Sequence, residues 1–148
     1  MRKGFTLLEV LVVIVIIIIV FSAMAFALGG SRQQARDERR KADLALIASG
    51  LEKYRADCGV YPTAAYYNAV TTGANLVGNG STPACTSASV YMDNKPGDPE
   101  SPSRIYSYNL LSSASCALCA SLDNVSSAMD TSNCASCGIA CNYITTNP

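Results

Sequence analysis

Nineteen consecutive residues, Val10 to Leu28, contain one polar side chain, Ser22. As a helix rising ~1.5 Å per residue, such a run covers about 28 Å, close to the ~30 Å hydrocarbon thickness of a bilayer. The first part of the chain is therefore expected to span a membrane. A secretory signal would have an apolar core of roughly 7–15 residues followed by a small-residue cleavage site. Ala23, Ala25 and Ala27 supply small residues, but the apolar run is too long for that reading. Arg2 and Lys3 precede it, while Arg32, Arg36, Arg39, Arg40 and Lys41 follow it. The two groups pull in opposite directions under the positive-inside rule, so charge alone leaves the orientation open.

Composition narrows the chemistry. The 148 residues include no histidine, which removes Ser/His/Asp and Cys/His nucleophilic catalysis, histidine metal sites and a histidine general base. No enzymatic activity is expected. The net charge of zero hides an asymmetry: residues 1–57 carry nine Lys/Arg against six Asp/Glu, and the remainder two against five. A nucleic-acid-binding module would carry its basic patch on the folded domain. Here the distal part is the acidic one, so no nucleic-acid partner is expected.

Glu9 is a carboxylate at the edge of the apolar run, worth ~2.5–3.5 kcal/mol of penalty if it lay deep in lipid without a partner. The string Arg2-Lys3-Gly4-Phe5-Thr6-Leu7-Leu8-Glu9 resembles the processing site of type IV prepilins and type II secretion pseudopilins. The resemblance implies cleavage between Gly4 and Phe5 by a prepilin peptidase and N-methylation of Phe5. It also implies an assembly role for Glu9, whose carboxylate pairs with the Phe5 amine of a neighbouring subunit, so that two charges costly alone in lipid are satisfied together. A negative charge is in any case favourable in a first helical turn. At a cytoplasmic interface the same carboxylate would need no partner. Many relatives have a proline late in the apolar helix, where this chain has Phe26; Gly29-Gly30 follows as a local weak point.

The segment 31–57 contains no proline, and Leu44, Ile47, Ala48, Leu51 and Tyr54 recur at helical spacing. They predict one buried stripe on a helix continuing out of the membrane. Arg32 to Lys41 is polar all round and reads as a solvated connecting helix, with pairing between neighbours or to lipid headgroups as the alternative. After Cys58-Gly59 prolines and small polar residues dominate. The phrase Leu51 to Thr63, with its Tyr61-Pro62 pair, resembles the helix-to-loop transition of major pseudopilins, and Tyr91 to Pro99 is similar to the loop preceding their sheet. Residues 64–90 and 123–140 are the least family-like. Alternation predicts strands at Ile105–Leu110 and Cys116–Leu122, and a short third at Cys141–Thr145. The resemblance thus implies an α+β, pilin-like fold in which a long N-terminal helix packs against a small antiparallel sheet. The expected divisions are a leader at 1–4, a transmembrane and filament-core helix at 5–30, its solvent part at 31–57, and a cysteine-containing domain at 58–148.

Seven cysteines, Cys58, Cys85, Cys116, Cys119, Cys134, Cys137 and Cys141, follow the apolar segment. A small domain meeting an oxidising compartment is a candidate for disulfide reinforcement. The favoured pairings are Cys58 with Cys85 and bridges from Cys116 or Cys119 to the Cys134, Cys137, Cys141 group; sequence fixes none of them. Cys116-x2-Cys119 and Cys134-x2-Cys137 also have a spacing close to that of a four-cysteine zinc site. A calcium site would draw on Asp93, Asp98, Glu100, Asp123, Asn124 and Asp130, whose spacing matches no loop motif; solvated loop acids are the simpler reading. No cofactor is expected, with zinc and calcium as alternatives. Tyr61, Tyr66, Tyr67, Tyr91, Tyr106, Tyr108 and Tyr143 read as half-buried packing.

The resemblance implies a structural subunit of a type IV pilus or type II secretion pseudopilus, anchored in the inner membrane by a single pass with its globular part extracytoplasmic. Its partners would be copies of itself and related pilins in a filament, the prepilin peptidase, an inner-membrane assembly platform and membrane lipid. A single-pass anchor carrying a cysteine-rich, zinc-binding interaction module is the alternative.

Overall fold

A computed structural model describes residues 4–125 and 129–147, with backbone only for 25–29. The sequence reading of Arg2, Lys3 and Phe26 therefore lies outside the described side chains. The element order is helix α1 (Leu7–Cys58), helix α2 (Ala64–Ala69), and strands β1 (Leu76–Val77), β2 (Val90–Met92), β3 (Ser107–Ser112), β4 (Ser115–Ala120) and β5 (Tyr143–Asn147). Two units divide the chain, residues 1–35 and 36–148.

In the first unit, Leu7–Met24 is long and apolar enough to cross a membrane, and none of it is buried. Within it the Ser22 hydroxyl is satisfied internally, donating to the Ile18 carbonyl at 2.8 Å, as polar groups must be where water is excluded. The expected helix start at Phe5 is two residues early. Thr6 stands before the helix and its Oγ1 accepts from the Glu9 amide at 3.3 Å, an N-cap hydrogen bond at the spacing of a capping box.

The second unit is built on the stripe of α1. Leu44, Ile47, Leu51 and Tyr54 are at most 1% exposed and pack with Tyr108, Cys116, Leu118 and Ala120 of the sheet. The expected α+β, pilin-like arrangement is what forms. Helix α1 ends at Cys58, and Gly59 follows in the left-handed region at φ 80°, its amide returning to the Arg55 carbonyl at 2.8 Å. Such a cap suits a residue without Cβ.

The three-stranded sheet has the order β3-β4-β5, antiparallel throughout. Its strands are shifted by one or two residues from the predicted ranges. The Ile105 amide binds the Cys137 carbonyl instead of a strand partner, and beyond Ala120 the Leu122 amide is taken by the Asn142 side chain, which ends the ladder. Between α1 and this sheet lies structure that the sequence left without assigned elements. Thr63 caps α2 through Tyr66 N–H, and β1 pairs antiparallel with β2 in a separate two-stranded sheet. Tyr91 and Met92, read as loop, are thus strand residues.

Strand β4 separates two packing layers. Cys116, Leu118 and Ala120 face the main core, while Ala117 and Cys119 join Cys134, Cys137, Cys141 and Ile144 in a second cluster. Period-two alternation puts successive side chains on opposite faces, so the loop 131–141 covers one face of the sheet as α1 covers the other.

Candidate functional site

The segment expected to be cleaved is open. Gly4 has nothing within 4 Å of where a Cβ would stand, Phe5 is 76% exposed, and Gly4, Phe5 and Thr6 precede the first helical residue. The Gly4–Phe5 bond is thus exposed backbone outside the helix. Glu9 lies in the first turn of α1, exposed. There the unpaired amides of the helix start favour a negative charge.

The cysteines are sorted by strand parity. Cys58 is bonded to Cys85, Cys119 to Cys134 and Cys137 to Cys141, leaving Cys116 a buried free thiol. One bridge runs from strand β4 to the Cys134, Cys137, Cys141 group; the other closes within that group. Cys58–Cys85 ties the end of α1 across a separation of 27 residues, worth about 3.5 kcal/mol on the chain-entropy account. The four thiols of the zinc spacing are not brought to one point, because an odd separation on a strand sends Cys116 and Cys119 to opposite faces. Burial raises the Cys116 thiol to about 11, which leaves it protonated near neutral pH.

Three of the acids considered for calcium, Asp98, Glu100 and Asp123, lie against arginines. Arg40 is fully buried; its Nε lies 2.9 Å from Asp98 Oδ2 and its Nη2 2.8 Å from Glu100 Oε2. Its Nη1 meets Asp37 Oδ1 at 3.0 Å and Asp123 Oδ2 at 3.3 Å. Asp123 also binds Arg36 at 2.8 Å and Arg104 at 2.7 Å. Asp37 receives the backbone amides of Asp123 at 2.7 Å and Asn124 at 2.8 Å. Burial depresses the Arg40 guanidinium's proton affinity, yet Asp98, Glu100 and Asp37 outweigh it and raise its pKa. Burial likewise pushes the Asp123 carboxyl up, but Arg36, Arg104 and Arg40 hold it below the ordinary carboxylate range.

Two sequence expectations are corrected here. Asp98 and Asp123 are not solvated loop acids, and the segment Arg32–Lys41 is not a wholly solvated connecting helix, since Asp37 and Arg40 are 3% and 0% exposed. A signal for this was present: 37, 40, 44, 47, 51 and 54 continue one helical stripe, with charges at its first two places. Lys95 was likewise missed. Its ammonium donates to the carbonyls of Tyr67 at 3.0 Å and Val70 at 2.8 Å and lies 3.9 Å from the Tyr67 ring centre, closing the C-terminal end of α2. Most of the tyrosines do pack: Tyr61, Tyr67, Tyr91 and Tyr108 are buried, and Tyr106 donates to Asp43 at 2.7 Å.

Among known proteins, the family described as the prokaryotic N-terminal methylation motif matches residues 1–25. The chain is 42% identical over 65 residues to the type II secretion system core protein G of Vibrio cholerae serotype O1, a stretch covering 43% of this chain and 44% of that protein. The chain thus spans under half the length of the curated relative it matches. No solved structure matches it. Residues 1–25 carry a prepilin-type N-terminus.

Proposed function

We propose that the chain is a structural subunit of a type II secretion pseudopilus or a type IV pilus, cleaved between Gly4 and Phe5, methylated at Phe5 and polymerised through its apolar helix. The carrying observation is the exposed Gly4–Phe5 bond standing immediately before a capped apolar helix with Glu9 in its first turn. Cleavage there keeps the membrane helix in the mature protein, whereas a signal peptidase would remove it. The match to a type II secretion core protein favours the pseudopilus side of this reading.

In this reading the subunit is held in the inner membrane by one pass, its disulfide-bonded domain extracytoplasmic, and it acts mechanically, not catalytically. Entry into a filament exchanges lipid contacts along Leu7–Met24 for contacts with other helices. The Glu9 carboxylate meets the Phe5 amine of a neighbour there, and neither charge is left alone in an apolar surrounding. The prepilin peptidase and an inner-membrane assembly platform are the implied partners, and no cofactor takes part.

Mass spectrometry of the N-terminal peptide from membranes of the source cell tests the reading. The expected product begins at N-methylated Phe5. Mature protein that uniformly retains residues 1–4 would overturn it and favour a membrane-anchored interaction module.

A further inference from the structure

The odd number of cysteines and the place where the odd thiol rests pose a problem of order. Cys116 and Cys119 are three residues apart, as are Cys134 and Cys137, whereas the native partners Cys119 and Cys134 are 15 apart. In a flexible chain the probability of closing a loop falls roughly as the three-halves power of its length, which favours the short pair about tenfold. Oxidation of the unfolded chain therefore favours the short pairs Cys116–Cys119 and Cys134–Cys137 over Cys119–Cys134.

That bond cannot persist in the fold. Residues three apart on a strand are separated by about 10 Å, and a disulfide needs its Cα atoms within about 7 Å. Cys116 and Cys119 both lie in β4, in register with Leu110 and Ser107 of β3 and with Asn147 and Ile144 of β5. A Cys116–Cys119 bridge thus prevents β4, the central strand, from forming.

We propose that the seven cysteines form an internal exchange relay, in which a thiol of the 134–141 segment resolves a Cys116–Cys119 bridge and the odd thiol ends buried at Cys116. With Cys137–Cys141 closed, the Cys134 thiolate attacks the Cys119 sulfur. The Cys119–Cys134 bond forms, the Cys116–Cys119 bond breaks, and Cys116 leaves as a thiolate that takes up a proton. Where Cys134 has first joined Cys137, the Cys141 thiolate attacks Cys137 and frees Cys134 for the same step. Each exchange is redox-neutral: three disulfides and one thiol stand before and after it, and the six electrons removed earlier go to an external dithiol-oxidising agent. The relay does not depend on the filament reading.

The native fold makes the last step one-way. Cys116 is fully excluded from solvent in the main core, while Cys119, Cys134, Cys137 and Cys141 cluster on the other face of the sheet. Burial keeps the Cys116 thiol protonated, and β4 stands between it and the Cys119–Cys134 and Cys137–Cys141 bridges. A six-cysteine chain would carry no thiol with which to undo a wrong bridge once all six had paired.

The test is oxidation of the reduced, denatured full chain on dilution into detergent micelles with copper-phenanthroline and no added thiol. Samples are quenched with N-ethylmaleimide under denaturing conditions and mapped by peptide mass spectrometry. Early samples should contain the Cys116–Cys119 bridge and a label within 134–141; late samples should carry the label at Cys116. A label at Cys116 from the first time point would overturn the relay. Cys116→Ala removes the misbridge, and Cys119–Cys134 should then form severalfold faster; an unchanged half-time would also count decisively against it.

Discussion

Arg40 and Asp98 meet side by side inside the second unit, both side chains wholly excluded from solvent, with Nε 2.9 Å from Oδ2 and Nη2 3.3 Å from Oδ1. A two-point guanidinium–carboxylate contact is the strongest geometry such a pair adopts. Removing Arg40 leaves the buried Asp98 carboxylate unpaired close to other carboxylates, so Arg40→Met should cost about 3–5 kcal/mol of unfolding free energy. Arg40→Met combined with Asp98→Asn should be markedly more stable than the sum of the two single losses. Urea unfolding of the four proteins in detergent measures this, and strict additivity would show that the two groups do not act as a pair.

Acid should loosen the same region. Asp123 has its pKa lowered in the folded state by three arginines that outweigh burial, so its contribution to stability is complete above the ordinary aspartate value of about 4 and is lost as pH falls below it. The melting temperature should therefore drop between pH 5 and pH 3 by more in the native protein than in Asp123→Asn. Parallel acid profiles for the two proteins would contradict this.

Gly50 tests the closeness of α1 to β2. A Cβ there would lie 3.0 Å from the Met92 Cβ and 3.1 Å from the Tyr91 carbonyl oxygen, neither of which is the free end of a flexible side chain. Alanine gains ~1 kcal/mol in helix propensity, but overpacking costs about 1–3 kcal/mol. Gly50→Ala should therefore lower the melting temperature, and a rise would show that the strand gives way.

Under the filament reading, Glu9→Ala should leave membrane insertion intact and reduce filament yield severely. Membrane fractionation and counts of sheared filaments, taken from the same cells, separate the two effects. Filaments of undiminished abundance would remove Glu9 from assembly.

The sequence was most informative where one physical cause dominates. The spacing of Leu44, Ile47, Leu51 and Tyr54 sufficed to place the core face of α1, because apolar periodicity reports burial directly. Gly4, Phe5 and Glu9 were legible as a compact motif. Asp37 and Arg40 were not, since a charged residue counts as polar until its partners are known, and the partners Asp98 and Asp123 are 58 and 83 residues beyond Arg40. Cys116 and Cys119 show the same limit. Alternation did place them on a strand, but which of the two reaches the 134–141 group was open until the pairing on both edges of β4 set the faces. In 64–92 the strands are only two and three residues long, too short for alternation to register.

The clasp of Asp123 onto Arg36 and Arg40 also sets a schedule for synthesis. Arg36 opens the second unit, and its carboxylate partners Glu100 and Asp123 are made many codons later. A nascent chain that has emerged only as far as the helix holds Arg40 without a single one of its long-range counter-charges, and burying it then would cost several kcal/mol. The helix must therefore wait, with that guanidinium in water, until the loop carrying Asp98 and Glu100 and finally the segment with Asp123 have been translated. Folding of this unit is thus deferred to the end of its own production.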